Sequence, residues 1–134
     1  MEVFKYLAQL IGSTPLSKIR YTYCGEERFI YVKHEHYNYT GSIKDRMALH
    51  ILYHARKSGE LKEGAPIVEA TSGNTGIAFS ALGRALGHPV TIFMPSWMSH
   101  ERRCLIESFG AEIKLVSEGE GGFLGSIEKA KQMK

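Results

Sequence analysis

The feature that most constrains the fold is a regular alternation along the chain between short runs rich in β-branched or aromatic residues and longer helical patterns. Alternation of this kind is typical of successive βα units, in which helices connect parallel strands. The predicted strands occupy residues 29–33, 66–70, 90–94 and 112–116. We therefore predict an α/β fold of three layers, αβα, with a four-stranded parallel sheet preceded by an N-terminal arm.

Local sequence signals predict where the helices between these strands begin and end. A capping-box pattern over residues 42–45 predicts a helix from about residue 43 to 58 and places Lys44 in its first turn. Glycines that are expected to end helices follow at residues 59, 87 and 110. The last helical pattern begins near residue 125 and has no stop signal, so a helix that continues past Lys134 and one that frays there both fit.

The chain divides into two predicted parts. Residues 1–28 form the arm, in which Pro15 follows a short helical start and forces an extended turn. Residues 29–134 form the α/β domain. A total of 134 residues, 43% of them hydrophobic, is enough for one domain that buries a core without disulfides.

Charge and cysteine content exclude several classes of function. The formal net charge is +3, and acidic residues are interleaved with the basic ones, so no basic stripe for nucleic acid is present. No apolar run reaches the length of a membrane span, and the N-terminus does not resemble a signal peptide. Cys24 and Cys104 fit no zinc spacing. We expect a cytoplasmic protein without metal, nucleic-acid or membrane partners.

The segment Thr71–Gly76 has the composition of an anion-binding turn. It follows a predicted strand, opens a predicted helix, and combines two glycines with hydroxyl and amide side chains. Backbone N–H groups converge at such a helix start, where the helix dipole also favours negative charge. An ordinary strand-to-helix turn explains the same residues, and the spacing matches neither phosphate-binding glycine motif.

Lys44 is the second candidate for chemistry. In doubly wound sheets, ligands bind outside the carboxyl ends of the strands, where both the Lys44 loop and the Thr71–Gly76 loop are expected to lie. A lysine at the positive end of a helix is more easily deprotonated, which favours nucleophilic chemistry at its amine. A solvated surface lysine is the alternative.

Five segments together resemble the cysteine synthase/cystathionine β-synthase family, the O-acetylserine sulfhydrylase-like enzymes of fold-type II. Residues 41–46, 71–76 and 94–103 are similar to three signature segments of that family. Residues 11–16 resemble its opening IGNTPL, and residues 109–112 resemble its FGAE-like stretch, in the same order. The resemblance extends over the whole chain and implies an enzyme that uses pyridoxal 5′-phosphate (PLP).

The resemblance also implies roles for matching residues. Lys44 would bind PLP as a Schiff base and then act as the base toward the substrate's α-proton, while Asn74 would bind the ring oxygen of the cofactor. The residues implied to bind the substrate α-carboxylate are Thr71, Ser72, Gly73 and Thr75. The implied reaction is β-replacement on an O-activated serine through an aminoacrylate intermediate, with sulfide as the acceptor.

Three departures from the family pattern affect these expectations. Tyr39, Thr40 and Gly41 stand where the family has Pro-Gly-Gly, and Ser13 replaces an Asn. Family members are also about twice as long, and no phosphate-binding loop or pyridine-nitrogen ligand can be found, so a second, phosphate-binding domain is expected to be absent. Three alternatives follow: a truncated or split enzyme, a non-catalytic module that binds an anion or a partner chain, and cystathionine β-synthase-like or serine/cysteine β-lyase activity. A homo-oligomer or pairing with a complementary chain is expected.

Overall fold

A computed structural model describes residues 2–133, which form five helices and five strands. Two short 3₁₀ turns, Glu35–Tyr37 and Glu118–Glu120, connect some of these elements. In chain order the elements are α1 (Glu2–Leu10), β1 (Leu16–Tyr23), β2 (Glu26–Lys33), α2 (Lys44–Ser58), β3 (Ile67–Ala70), α3 (Asn74–Ala85), β4 (Val90–Pro95), α4 (His100–Ser108), β5 (Glu112–Val116) and α5 (Gly122–Gln132).

A parallel sheet of three strands, in the order β3-β4-β5, forms the centre of the domain. Ile67 pairs with Val90 at the start of β3, and Thr91 pairs with Glu112 at the start of β5. The helices α3 and α4 pack together beside the sheet, and α5 packs against all three strands. Every residue of β4 is buried, as expected for a central strand with helices on both faces.

The prediction of a four-stranded parallel sheet is wrong. Residues 29–33, predicted as its first strand, belong to β2, which pairs antiparallel with β1 and forms a separate two-stranded sheet. The cause is a two-residue turn at Cys24 and Gly25, whose φ angles are 53° and 80°. Positive φ at both central residues is the geometry that joins antiparallel strands in a tight hairpin. Residues 16–23, which were assigned to the arm, are therefore the strand that pairs with β2.

The other predicted elements match the structure closely. The parallel strands begin and end within one residue of the prediction, and α2 spans Lys44–Ser58 with Gly59 in the left-handed conformation after it. Between residues 2 and 133 no helix is long and apolar enough to cross a membrane. The prediction for Lys134 lies outside the described residues.

Two hydrophobic clusters hold the helices in place. The first joins α1, α2 and α3 through Phe4, Leu52 and Leu82, and the second joins α3, β4 and α4 through Ile77, Ile92 and Ile106. Leu82, Ile92 and Ile106 are fully buried. Because α2 packs on α3, the packing of these two helices fixes the position of the beginning of α2 relative to the loop before α3.

The hairpin and β3 leave apolar surface uncovered. In the hairpin, Ile19, Tyr21, Phe29, Ile30 and Tyr31 are all more than two-fifths exposed. β3 is an edge strand whose four residues are only partly buried, in contrast to β4. A two-stranded hairpin is marginally stable on its own, and an open strand edge can pair with another strand.

Candidate active site

Lys44 is the first residue of α2, and a short loop fixes where that helix begins. The backbone N–H of Lys44 donates to Oγ of the buried Ser42 at 3.2 Å, and the N–H of Gly41 donates to the carbonyl oxygen of Asn38 at 2.9 Å. Gly41 has a φ of 88°, which favours glycine at this turn. The Lys44 side chain is exposed, and its amine forms no hydrogen bond or ion pair with residues 2–133. The amine is therefore accessible.

Asp45, the only aspartate of the chain, ties this loop to the helix. Its carboxylate is fully buried and accepts hydrogen bonds from the backbone N–H of Thr40, at 2.6 Å, and from the Thr40 hydroxyl. The predicted capping box therefore has a different partner: the acid binds the backbone of Thr40 rather than that of Ser42. The bond to Ser42 holds the backbone of Lys44 itself, and the bonds from Thr40 hold its neighbour Asp45.

Arg46, the residue after Asp45 in α2, is held by a second hydrogen-bond network. Its guanidinium donates to both carboxylate oxygens of Glu35, at 2.7 and 3.0 Å. Asn38 and Thr14 also donate to Glu35, and Asn38 accepts from the N–H of Gly12. The bonds from Arg46 and Asn38 lower the pKa of Glu35 to about 2. This network joins the N-terminal segment to the start of α2.

The Thr71–Gly76 loop connects β3 to α3. The N–H of Thr71 donates to the carbonyl oxygen of Phe93, which anchors the loop to β4, and the N–H of Gly76 donates to that of Gly73. No hydrogen bond to residues 2–133 is formed by the N–H groups of Ser72, Asn74 and Thr75. Because these donors lie at the beginning of α3, the loop has the properties of an anion site.

One cleft lies between α2 and the Thr71–Gly76 loop. A cavity of about 790 Å³ is lined by Thr71, Ser72 and Thr75 from the loop, and by Met47 and Ile51 from α2. Lys44 and Asn74 are not among its lining residues. Residues three and seven positions apart share a face of a helix, so Lys44 lies on the same face as Met47 and Ile51. Lys44 therefore lies at the N-terminal end of the helix face that lines this cleft through Met47 and Ile51. Asn74 is exposed at the start of α3.

Two residues of this cleft had no role in the sequence analysis. Glu69 is a half-buried acid in β3, and burial raises its pKa against the opposing effect of a backbone hydrogen bond from Ala70. Phe123 of α5 lines the cleft opposite α2. The sequence could have indicated Glu69, because an acidic residue inside an otherwise apolar strand is unusual. Phe123 could not be found in this way, because only the packing of α5 on the sheet brings it to the cleft.

The described part of the chain contains no group of three metal-ligating side chains. Cys24 and Cys104 are both free and exposed. The candidate site therefore consists of a loop of N–H and hydroxyl donors, a cleft that this loop lines together with α2, and an accessible amine at the first residue of α2.

Comparison with known proteins relates this geometry to an enzyme family. The family model described as pyridoxal-phosphate dependent enzyme matches residues 7–134. Cysteine synthase of Staphylococcus aureus is 42% identical over 128 residues, which are 96% of this chain and 41% of the relative. The chain thus spans about two-fifths of the length of this curated relative.

Solved structures agree with this assignment. A hydrogen sulfide-producing enzyme of Fusobacterium nucleatum is 64% identical with a TM-score of 0.95, covering 98% of this chain and 40% of that one. A variant of that enzyme was solved with an α-aminoacrylate intermediate. Cysteine synthase of Entamoeba histolytica is 41% identical with a TM-score of 0.84, covering 95% and 38% of the two chains. The chain belongs to the family of pyridoxal-phosphate dependent enzymes, among which it is similar to the cysteine synthases.

Proposed function

We propose that this chain carries the lysine and the substrate-carboxylate loop of a PLP-dependent β-replacement site of the cysteine synthase type. The donor substrate is an O-activated serine such as O-acetylserine, and the acceptor is sulfide. The observation that carries the proposal is a cleft lined by the Thr71–Gly76 loop, with free N–H groups at Ser72 and Thr75, and by Met47 and Ile51 of α2, the helix whose first residue is the accessible Lys44.

The residues present fit the part of the cofactor that reacts. Covalent attachment of PLP needs an accessible amine, and the side chain of Lys44 is exposed at a rigid helix start. When bound, PLP supplies an electron sink for the carbanion that forms when the α-proton is removed. Asn74 has donor and acceptor groups for the ring oxygen of the cofactor. Lys44 would bind the cofactor and, once released, would take the α-proton.

The substrate carboxylate has a matching set of donors. The N–H groups of Ser72 and Thr75, with the hydroxyls of Thr71, Ser72 and Thr75, would bind the carboxylate, and Gly73 would let it approach the backbone closely. Thr71 is buried, so the loop is pre-organised before a substrate arrives. The α-carbon would then be directed toward Lys44. In the net reaction, acetate leaves as its Cβ–O bond breaks, and sulfide forms the new Cβ–S bond.

The uncovered surfaces support a site that is completed by a further segment. The exposed apolar hairpin and the open edge of β3 are surfaces that a second domain would cover. We propose that this domain holds the cofactor phosphate, and that residues 1–28 and 29–134 act as arm and lysine-bearing domain. An oligomer, or pairing with a complementary chain, is part of the same proposal.

Release of sulfide from cysteine is a second candidate function. The relative with 64% identity is named for hydrogen sulfide production rather than for cysteine synthesis. Both reactions require removal of the α-proton followed by loss of a substituent at Cβ, so the same lysine and loop would serve both. The two reactions differ in the acceptor that adds to Cβ: sulfide in cysteine synthesis, and water in the release of sulfide from cysteine.

An assay with both substrates tests the proposal. The 134-residue chain is incubated with PLP and either O-acetylserine and sulfide or cysteine alone, and acetate, cysteine and sulfide are measured. With the segment that holds the cofactor phosphate supplied, as part of a longer chain or as a complementary chain, we expect the products of one of the two reactions from the unchanged sequence and from Lys57→Ala, an exposed-lysine control, and no product from Lys44→Ala. Product formation by Lys44→Ala would contradict the role of this lysine. A chain that binds PLP at Lys44 but forms no product would be a non-catalytic module.

A further inference from the structure

A second cleft lies between α1 and α2, apart from the one beside the Thr71–Gly76 loop. Its volume is about 560 Å³, within the range of small-molecule sites. The apolar part of its lining consists of Phe4, Ala8, Ile11, Leu49 and Tyr53. The rings of Phe4 and Tyr53 meet edge to face with centroids 5.6 Å apart, and Phe4 and Ile11 are buried. The cleft therefore has a rigid apolar floor.

Every ionisable side chain that lines this cleft, apart from the phenol of Tyr53, is basic. They are Lys5, Arg46, His50 and His54, and no acidic residue is among the lining residues. Arg46 is already engaged by Glu35. Lys5 and the two imidazoles, by contrast, form no hydrogen bond or ion pair within the part of the chain that the structure describes. Three donors are therefore free to bind a ligand.

The two histidines face each other across one turn of α2. Their ring centroids are 4.2 Å apart with an angle of 40° between the planes, and the ring of Tyr53 meets that of His54 edge to face at 5.4 Å. An imidazole donates an N–H whether it is neutral or protonated. A metal ion would need a third protein ligand, and no group of three occurs between residues 2 and 133. The arrangement suits an anion better.

We propose that this cleft binds a small amphipathic carboxylate. Its apolar body lies on the floor formed by Phe4, Ala8 and Tyr53, and its carboxylate accepts hydrogen bonds from His50, His54 and Lys5. Lys5, His50 and His54 form the polar rim of the cleft. The positive charge of Lys5 and the N–H donors of the two histidines favour a carboxylate over a neutral molecule of the same shape. This site is independent of the proposed function, because it involves neither Lys44 nor the Thr71–Gly76 loop.

The probe for this site is 4-phenylbutyrate, and its uncharged isostere 4-phenylbutyramide is the matched control. Both are titrated into the ¹⁵N-labelled 134-residue chain, and binding is followed by amide chemical shifts. A probe of this size is expected to bind with a Kd on the order of 1 mM. We expect saturable shifts at Ala8, Leu49 and Tyr53, with the amide at least about five-fold weaker. Equal affinity for both compounds, or shifts confined to residues outside this cleft, would overturn the proposal.

Three variants test the contributions of the polar rim and of the apolar floor to binding separately. His50→Phe combined with His54→Phe keeps the rings and removes their N–H donors, so it should weaken 4-phenylbutyrate about five-fold and affect 4-phenylbutyramide less. Ala8→Phe fills the cleft and should abolish the binding of both compounds. Lys57→Gln, an exposed residue of α2 outside the cleft, should change neither. Unchanged affinity of the double histidine variant, with its spectrum showing a folded chain, would refute the assignment.

Discussion

The hydrogen bonds between Thr40 and Asp45 lead to the most quantitative prediction. The carboxylate of the buried Asp45, the residue after Lys44, accepts hydrogen bonds from the backbone N–H and from the hydroxyl of Thr40. Thr40→Val keeps the shape of the side chain and removes the hydroxyl, whereas Asp45→Asn keeps the shape of the acid and removes its charge. The pair therefore permits a double-mutant cycle.

The expected magnitudes follow from the two bonds. A hydrogen bond to a charged group contributes about 1.5–3 kcal/mol, so Thr40→Val should lower the free energy of unfolding by about 2 kcal/mol. Asp45→Asn weakens both bonds and should cost about 3 kcal/mol. The double variant cannot lose the same bond twice, so its cost should fall short of the sum by about 1–2 kcal/mol.

Urea unfolding followed by far-UV circular dichroism measures these values. Thr40→Ser retains the hydroxyl and should stay within about 0.5 kcal/mol of the unchanged chain, as should the exposed Lys57→Ala. Additive effects of Thr40→Val and Asp45→Asn within about 0.5 kcal/mol would refute the reasoning, because they would show that the two side chains do not act through a shared bond.

Three further predictions concern Glu35, Glu69 and Gly76. The pKa of Glu35 is lowered from 4.5 to about 2, so its stabilising effect is present above pH 4.5 and is lost as the pH falls toward 2; Glu35→Gln should therefore lower the urea midpoint at pH 7 but not near pH 2. Burial raises the pKa of Glu69, so stability falls as the pH rises through that pKa; Glu69→Gln should raise Tm at pH 8 and change it little at pH 4, and an equal change at both would contradict this. A Cβ at Gly76 would lie 2.6 Å from Cγ2 of Thr71, so Gly76→Ala should cost about 1–3 kcal/mol in urea unfolding and shift the Thr71 amide resonance; an unshifted resonance would show that Thr71 is not displaced.

The parallel βα units could be predicted because their signals are local. Residues 66–70, 90–94 and 112–116 are short β-rich runs, and glycines 59, 87 and 110 follow the helices with positive φ. The hairpin could not be recognised in the same way. Its turn, Cys24-Gly25, lacks the Asn-Gly or Asp-Gly pair that signals such a turn most strongly. Without that signal, residues 29–33 were placed in the parallel sheet.

Part of the candidate site could be predicted because its sequence signals are also local. The position of Lys44 in the first turn of α2 followed from capping, and the Thr71–Gly76 loop followed from its glycines and hydroxyls. The contacts of Asp45 with Thr40, and of Arg46 with Glu35, depend on how a loop folds back over a helix. Phe123 is nearly 50 residues from Thr75 in sequence, so only the tertiary fold brings both to one cleft.

The proposed attachment of PLP to Lys44 can be measured without any assay of turnover. The chain is incubated with PLP and reduced with borohydride, and its peptides are then mapped by mass spectrometry. We expect a stable pyridoxyl adduct on the peptide that contains Lys44, and none on that peptide in Lys44→Ala. An adduct distributed among exposed lysines such as Lys57, without enrichment at Lys44, would show that Lys44 is not the residue that binds PLP.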